Sequence, residues 1–141
     1  MDKEKIKTAV RMILEGIGED PEREGLKETP DRVARMYEEV FEGIQYSNKE
    51  IAEKFGKAFT DNSDSMVIMK DIDIFSYCEH HLALMYDMKV SVAYVPHGKV
   101  LGLSKIARIC EMAAKRLQLQ EKLTTLMTEI ASQGDKIGKK K

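Results

Sequence analysis

The chain has 141 residues, 43% hydrophobic and 33% charged, the balance of a globular domain with one core rather than of a disordered segment. Its 23 lysines and arginines against 24 aspartates and glutamates leave a net charge of −1, which argues against a protein that coats nucleic acid. No apolar run approaches the roughly 20 residues that span a bilayer, so no membrane partner is expected. The start, MDKEKIKTAV, lacks a signal-peptide layout, and two cysteines make no disulfide framework, so a cytoplasmic location is expected.

In chain order, Ile6, Val10, Ile13, Leu14 and Ile17 recur at helical spacing and predict an amphipathic first helix, stopped by Gly18-Glu19-Asp20-Pro21. Thr29-Pro30-Asp31 predicts a second helix, with Thr29 as cap and a buried stripe of Val33, Met36, Tyr37, Val40, Phe41 and Ile44. A third helix is expected over Lys49 to Phe59. The polar loop Asp61 to Ser65 follows, and then the pattern changes to strands over Val67 to Phe75 and Met88 to Val95. In the first of these, Ile68, Ile72 and Ile74 are expected on one face. Pro96-His97-Gly98-Lys99 reads as a turn, and Ser104 as the cap of a helix with Ile106, Ile109, Cys110, Ala113 and Leu117 inward. Leu123, Leu126, Met127 and Ile130 mark a last helix. Helices, two strands and helices again make an α+β chain, organised as residues 1–65 (N-terminal helical region), 66–133 (the sheet and its helices) and 134–141 (a disordered basic tail), one compact domain overall. Two strands alone leave both sheet edges unpaired, so self-association is expected.

The chemistry concentrates in Ser76-Tyr77-Cys78-Glu79-His80-His81. Thiolate and imidazole are preferred zinc ligands, and the two-residue gap between Cys78 and His81 lets one turn bring both onto one metal. His80 is then available as a proton donor and acceptor, and Glu79 to orient a histidine. Zinc requires more than two protein ligands, and no second Cys/His cluster follows; the plainer reading is a small buried cysteine beside surface histidines. In Gly102-Leu103-Ser104-Lys105-Ile106-Ala107-Arg108, a helix start offers N–H groups to an anion, and Lys105 and Arg108 lie on neighbouring helical surface suited to phosphate. The alternative is an ordinary helix start with solvated charges. Gln120 and Glu121 can read a guanine edge, the carboxylate accepting from N1–H and the exocyclic amine; equally, they fit a polar helix surface.

Together, Cys78-Glu79-His80-His81, Val92-Ala93-Tyr94-Val95-Pro96, Gly102 to Arg108 and Gln118-Leu119-Gln120-Glu121-Lys122-Leu123-Thr124 stand in the order and spacing of the GTP cyclohydrolase I family, which the chain resembles from about residue 5 to about residue 125. Gly25 to Ala34 looks like that family's amino-terminal helical signature. The resemblance implies a T-fold enzyme that opens the imidazole ring of GTP, giving 7,8-dihydroneopterin triphosphate and formate on the way to tetrahydrofolate and related pteridines. It implies Zn2+ held by Cys78 and His81, with zinc activating the water that attacks C8. His80 becomes the catalytic acid/base group, Lys105 and Arg108 the triphosphate ligands, and Glu121 the guanine reader, helped by Gln120, Leu103 and Ser104. It also implies a homo-oligomer, a decamer of two pentamers with sites at subunit boundaries.

Family members continue into two more strands that carry a further cysteine ligand, a histidine and an arginine. The stretch Thr125 to Gly134 and the lysine tail carry none of these, and the usual proline and glycine after the double histidine are absent from Leu82 to Asp87. An alternative expectation therefore stands beside the enzyme: a truncated, non-catalytic homologue that oligomerises and at most binds nucleotide or zinc weakly. A small zinc-binding module, supported by Cys78 and His81 alone, is a third.

Overall fold

A computed structural model describes residues 1–61 and 65–137, and the chain divides into two units, Met1–Glu42 and Gly43–Lys141. In the first, α1 (Lys3–Gly16) is capped by Asp2, whose carboxylate accepts the Lys5 N–H at 3.0 Å. Val10 and Leu14, one helical turn apart, are its buried ridge. Ile13 and Ile17, expected in the same stripe, form the adjacent i, i+4 row and are 62% and 70% exposed. In α2 (Thr29–Val40), Glu28 and not Thr29 occupies the cap position, without a side-chain bond; Pro30 falls in the first turn, where a missing N–H costs no hydrogen bond. Ala34 and Phe41 are buried, Phe41 edge-on to Tyr37, while Met36 is exposed. Lys7 joins the two helices, its ammonium 3.0 Å from Asp31 and 3.0 Å from Glu4.

A 3-10 turn (Glu42–Gln45) begins at the last residue of the first unit and leads, in the second, to α3 (Asn48–Phe55). Ser47 and Glu50 cap α3 reciprocally. The helix stops before Gly56, so Phe59, expected inside it, lies in β1 (Ala58–Thr60), which pairs antiparallel with β4 (Lys99–Leu101). The main sheet holds β2 (Val67–Cys78), β3 (Leu84–Tyr94) and β5 (Leu117–Gln118) in the order β3-β2-β5, with β3 antiparallel and β5 parallel to β2. Against it lie α4 (Leu103–Ala114) and α5 (Gln120–Ile137). Buried residues of α3, β2, β4, α4 and α5 share one core, including Ile51, Ile74, Leu101, Ile109, Met112 and Ile130.

The strand faces depart from simple alternation for a visible reason. Pairing slips between Met69 and Ile72, where Asp71 takes a positive φ of 56°. This bulge inserts one residue and reverses the inward parity, so Met69 and Ile72 both pack on the core while Ile68, expected beside Ile72, is 53% exposed. A second slip, between Ile74 and Ser76, accompanies Asp87 at φ 50° on β3. At the carboxyl end, α5 runs through Ile137 into the stretch expected as a tail; the rest of that tail, 138–141, and part of the loop Asp61 to Ser65 lie outside the described residues.

Candidate active site

The turn between β2 and β3 is closed by two backbone bonds. The Cys78 N–H donates to the Ala83 carbonyl at 2.9 Å, and the Leu82 N–H to the Cys78 carbonyl at 2.9 Å. Leu82 takes a left-handed φ of 52°, an uncommon conformation for a branched side chain. This tight turn points Cys78 and His81 at one another, Sγ to Nδ1 at 3.7 Å. Tetrahedral zinc, with bonds of about 2.3 Å to sulfur and about 2.05 Å to nitrogen, would set its two ligand atoms about 3.6 Å apart. The pair therefore has the bite of two zinc ligands. Among the described residues no third histidine, cysteine, aspartate or glutamate gathers with them. The His80 ring stands nearly perpendicular to that of His81, at 86° with centroids 6.2 Å apart, and both histidines are exposed while Cys78 is half-buried.

The other cysteine is no candidate. Cys110 is 2% exposed in the core, and burial pushes its thiol up to about 11.

The short strand β5 brings a second group to this turn. Cys78 pairs with Gln118, and the Glu79 N–H donates to the Gln118 carbonyl at 3.3 Å. Gln120 and Glu121, both exposed, then open α5. Gln118 itself, 6% exposed, sends its amide nitrogen to the Ala113 carbonyl at 2.7 Å and to the Ser76 hydroxyl at 3.3 Å. Ser76, fully buried, donates in turn to the Arg116 carbonyl at 3.4 Å. The Arg116 guanidinium donates to the Gly43 carbonyl (2.9 Å), the Tyr46 carbonyl (2.8 Å) and Asn48 Oδ1 (2.8 Å), and burial lowers its pKa. Sequence reasoning met Ser76, Arg116 and Gln118 within or beside these stretches and gave none of them a role of its own. The one signal was a small polar residue, Ser76, at an inward position two after Ile74; the buried strand at 117–118 has no pattern long enough to read.

The third group stands elsewhere. α4 is capped by Gly102, not by Ser104: the Gly102 carbonyl accepts the Lys105 and Ile106 N–H groups at 2.8 and 3.1 Å, and no side chain caps the helix. Leu103 and Ser104 are exposed in its first turn, Lys105 is half-buried, and exposed Arg108 lies 3.5 Å from Glu111. The opposite end of α4, at Ala113, is the one that meets Gln118. A helix of 12 residues is roughly 18 Å long. Within one chain, then, the Cys78–His81 turn adjoins Gln118, two residues before Gln120, whereas Leu103, Ser104 and Lys105 stand in the opposite, first turn of α4 and Arg108 near its middle. A largely apolar cleft of about 350 Å3, lined by Val90, Val92, Ile106, Cys110 and Met127 among others, holds none of these residues.

The sequence profile described as GTP cyclohydrolase I matches residues 6–137. A GTP cyclohydrolase 1 of Clostridium botulinum (strain Loch Maree / Type A3) is 57% identical over 136 residues, which cover 92% of this chain and 69% of the relative. One from Ruminiclostridium cellulolyticum is 59% identical over 136 residues (92% and 70%), and one from Clostridium acetobutylicum 55% identical over 135 residues (92% and 69%).

Proposed function

This chain belongs to the GTP cyclohydrolase I family, a family of enzymes, and from that premise we propose that it serves the zinc-dependent hydrolytic opening of the GTP imidazole ring, yielding 7,8-dihydroneopterin triphosphate and formate in the cytoplasm. The observation that carries this reading is the convergence of the Cys78 thiol and the His81 imidazole at 3.7 Å, in the turn that begins where Cys78 pairs with β5. Zinc, when bound there, supplies a nucleophilic water at neutral pH. The chain's own residues do the rest. Glu121 accepts hydrogen bonds from guanine N1–H and the exocyclic amine, with Gln120 and the backbone at Leu103 and Ser104 beside the base. His80 takes and returns the protons of ring opening. Lys105 and Arg108 neutralise the triphosphate. The separation of Leu103, Ser104 and Lys105, in the first turn of α4, from the cysteine turn supports a site shared between copies in a homo-oligomer, a decamer by family resemblance.

The presence of two clustered ligands among the described residues, where zinc needs at least three, favours one alternative: a non-catalytic homologue that binds metal or nucleotide weakly. Metal analysis of the purified chain together with an assay of GTP separates the two. The enzyme retains zinc through gel filtration and converts GTP to a pterin that fluoresces after oxidation, and Cys78→Ser loses both. Zinc-free protein with GTP recovered intact leaves the non-catalytic homologue.

A further inference from the structure

We propose that Gln118 is a positioning residue, whose buried carboxamide sets the placement of Glu121 against the Cys78–His81 turn. The inference rests on the reading of Glu121 as the group that binds the guanine edge. Two-residue β5 has too few ladder bonds to hold its own place beside β2. Beside the bonds of Arg116 just before it, one side chain of the strand itself ties it to its neighbours. The Gln118 amide nitrogen joins the Ala113 carbonyl in the last turn of α4 and the Ser76 hydroxyl of β2 (2.7 and 3.3 Å), while its backbone carbonyl accepts the N–H of Glu79, the neighbour of Cys78. A single residue thus touches α4, β2 and the cysteine turn.

Immediately after it, the Leu119 carbonyl accepts the Lys122 and Leu123 N–H groups at 3.1 and 3.2 Å and starts α5. Glu121 stands in that first turn, so any shift of Gln118 is transmitted to its carboxylate through backbone already committed to a helix. An apolar side chain of equal size would fill the same space without the cost of burying an amide; what the amide adds is direction, since its bonds are satisfied in one orientation only.

The test is calorimetric binding of GTP and of inosine triphosphate, which lacks the exocyclic amine, to the full chain and to Gln118→Met, Glu121→Ala and the double variant. Positioning predicts that Gln118→Met lowers the preference for GTP over inosine triphosphate about tenfold, weakens inosine triphosphate, which keeps N1–H, by a smaller factor than GTP, and adds nothing further in the Glu121→Ala background. Ser76→Ala, which leaves the bond to Ala113 in place, gives a smaller drop in the same ratio and carries the test should Gln118→Met not fold. An unchanged ratio in a folded variant, or effects of Gln118→Met and Glu121→Ala that simply add, overturns the positioning role alone. A wild-type chain with no preference between the two nucleotides overturns the guanine role of Glu121, and this inference with it.

Discussion

At the scale of single residues, Gly43 and Arg116 hold the approach of the 3-10 turn to the end of α4. A Cβ on Gly43 would lie 2.1 Å from the Met112 carbonyl oxygen and 2.8 Å from that of Lys115, both backbone atoms that cannot rotate aside. The absence of a side chain here lets the Gly43 carbonyl reach the Arg116 guanidinium at 2.9 Å. That guanidinium stays charged despite the lowered pKa, because arginine's ordinary value lies far above neutrality. Gly43→Ala must push α4 away and strain the bonds of Arg116, the residue that leads into β5. We expect it to destabilise the fold by about 3 kcal/mol, read as a lower urea midpoint with an unchanged slope.

Among the elements, α3 shows how strongly a short helix depends on its first turn. Eight residues are too few to persist alone, so the cap and the burial of Ile51 and Ala52 decide whether it forms. The Ser47 hydroxyl accepts the Glu50 N–H at 3.2 Å, and the Glu50 carboxylate accepts the Ser47 N–H at 2.7 Å and its hydroxyl at 2.8 Å. Ser47→Ala should cost about 1 kcal/mol near neutral pH, measured by thermal unfolding. The backbone N–H and then the hydroxyl of Ser47 hold the Glu50 carboxyl below the usual glutamate range. A depressed folded value means that this contribution is complete above the unfolded glutamate pKa, about 4.3, and is lost as pH falls through the folded one. The difference in melting temperature between wild type and Ser47→Ala should therefore hold from about pH 8 to about pH 5 and shrink on further acidification. A difference that grows in acid would contradict the capping box.

For the molecule as a whole, the arrangement of the candidate site carries the sharpest consequence. The cysteine turn lies where β5 meets β2, with Glu121 three residues beyond β5, while Lys105 stands in the first turn of α4, about 12 Å along the axis from Ala113, and Arg108 near the middle of that helix. If the proposed function holds with sites shared between copies, Cys78→Ser and Lys105→Ala chains are each inactive alone for different reasons. Mixed after dissociation and reassociation, they should regain part of the wild-type rate, because some shared sites then receive Cys78 from one copy and Lys105 from another. Failure to regain any activity, with mixed oligomers demonstrated by sedimentation, would place the whole site within one chain.

The α+β class, α1, α2 and α4, the two long strands and the stretches that tie the chain to its family are legible in the sequence, because periodicity and short motifs are local and survive without coordinates. The two-residue gap between Cys78 and His81 also allows one turn to bring them together, beside the plainer reading of a buried cysteine and surface histidines, and their side chains lie 3.7 Å apart. What only the tertiary structure decided is non-local. The bulge at Asp71 reverses the inward face of β2 and exposes Ile68, against the simple alternation of its neighbours. The short strands β1, β4 and β5 exist because partners far along the chain offer them hydrogen bonds, with too few residues to form a pattern of their own. For the same reason Gln118, which by local pattern belongs on a polar surface, is buried: its surroundings come from α4 and β2, and burial is a property of what packs around a residue, not of the residue itself.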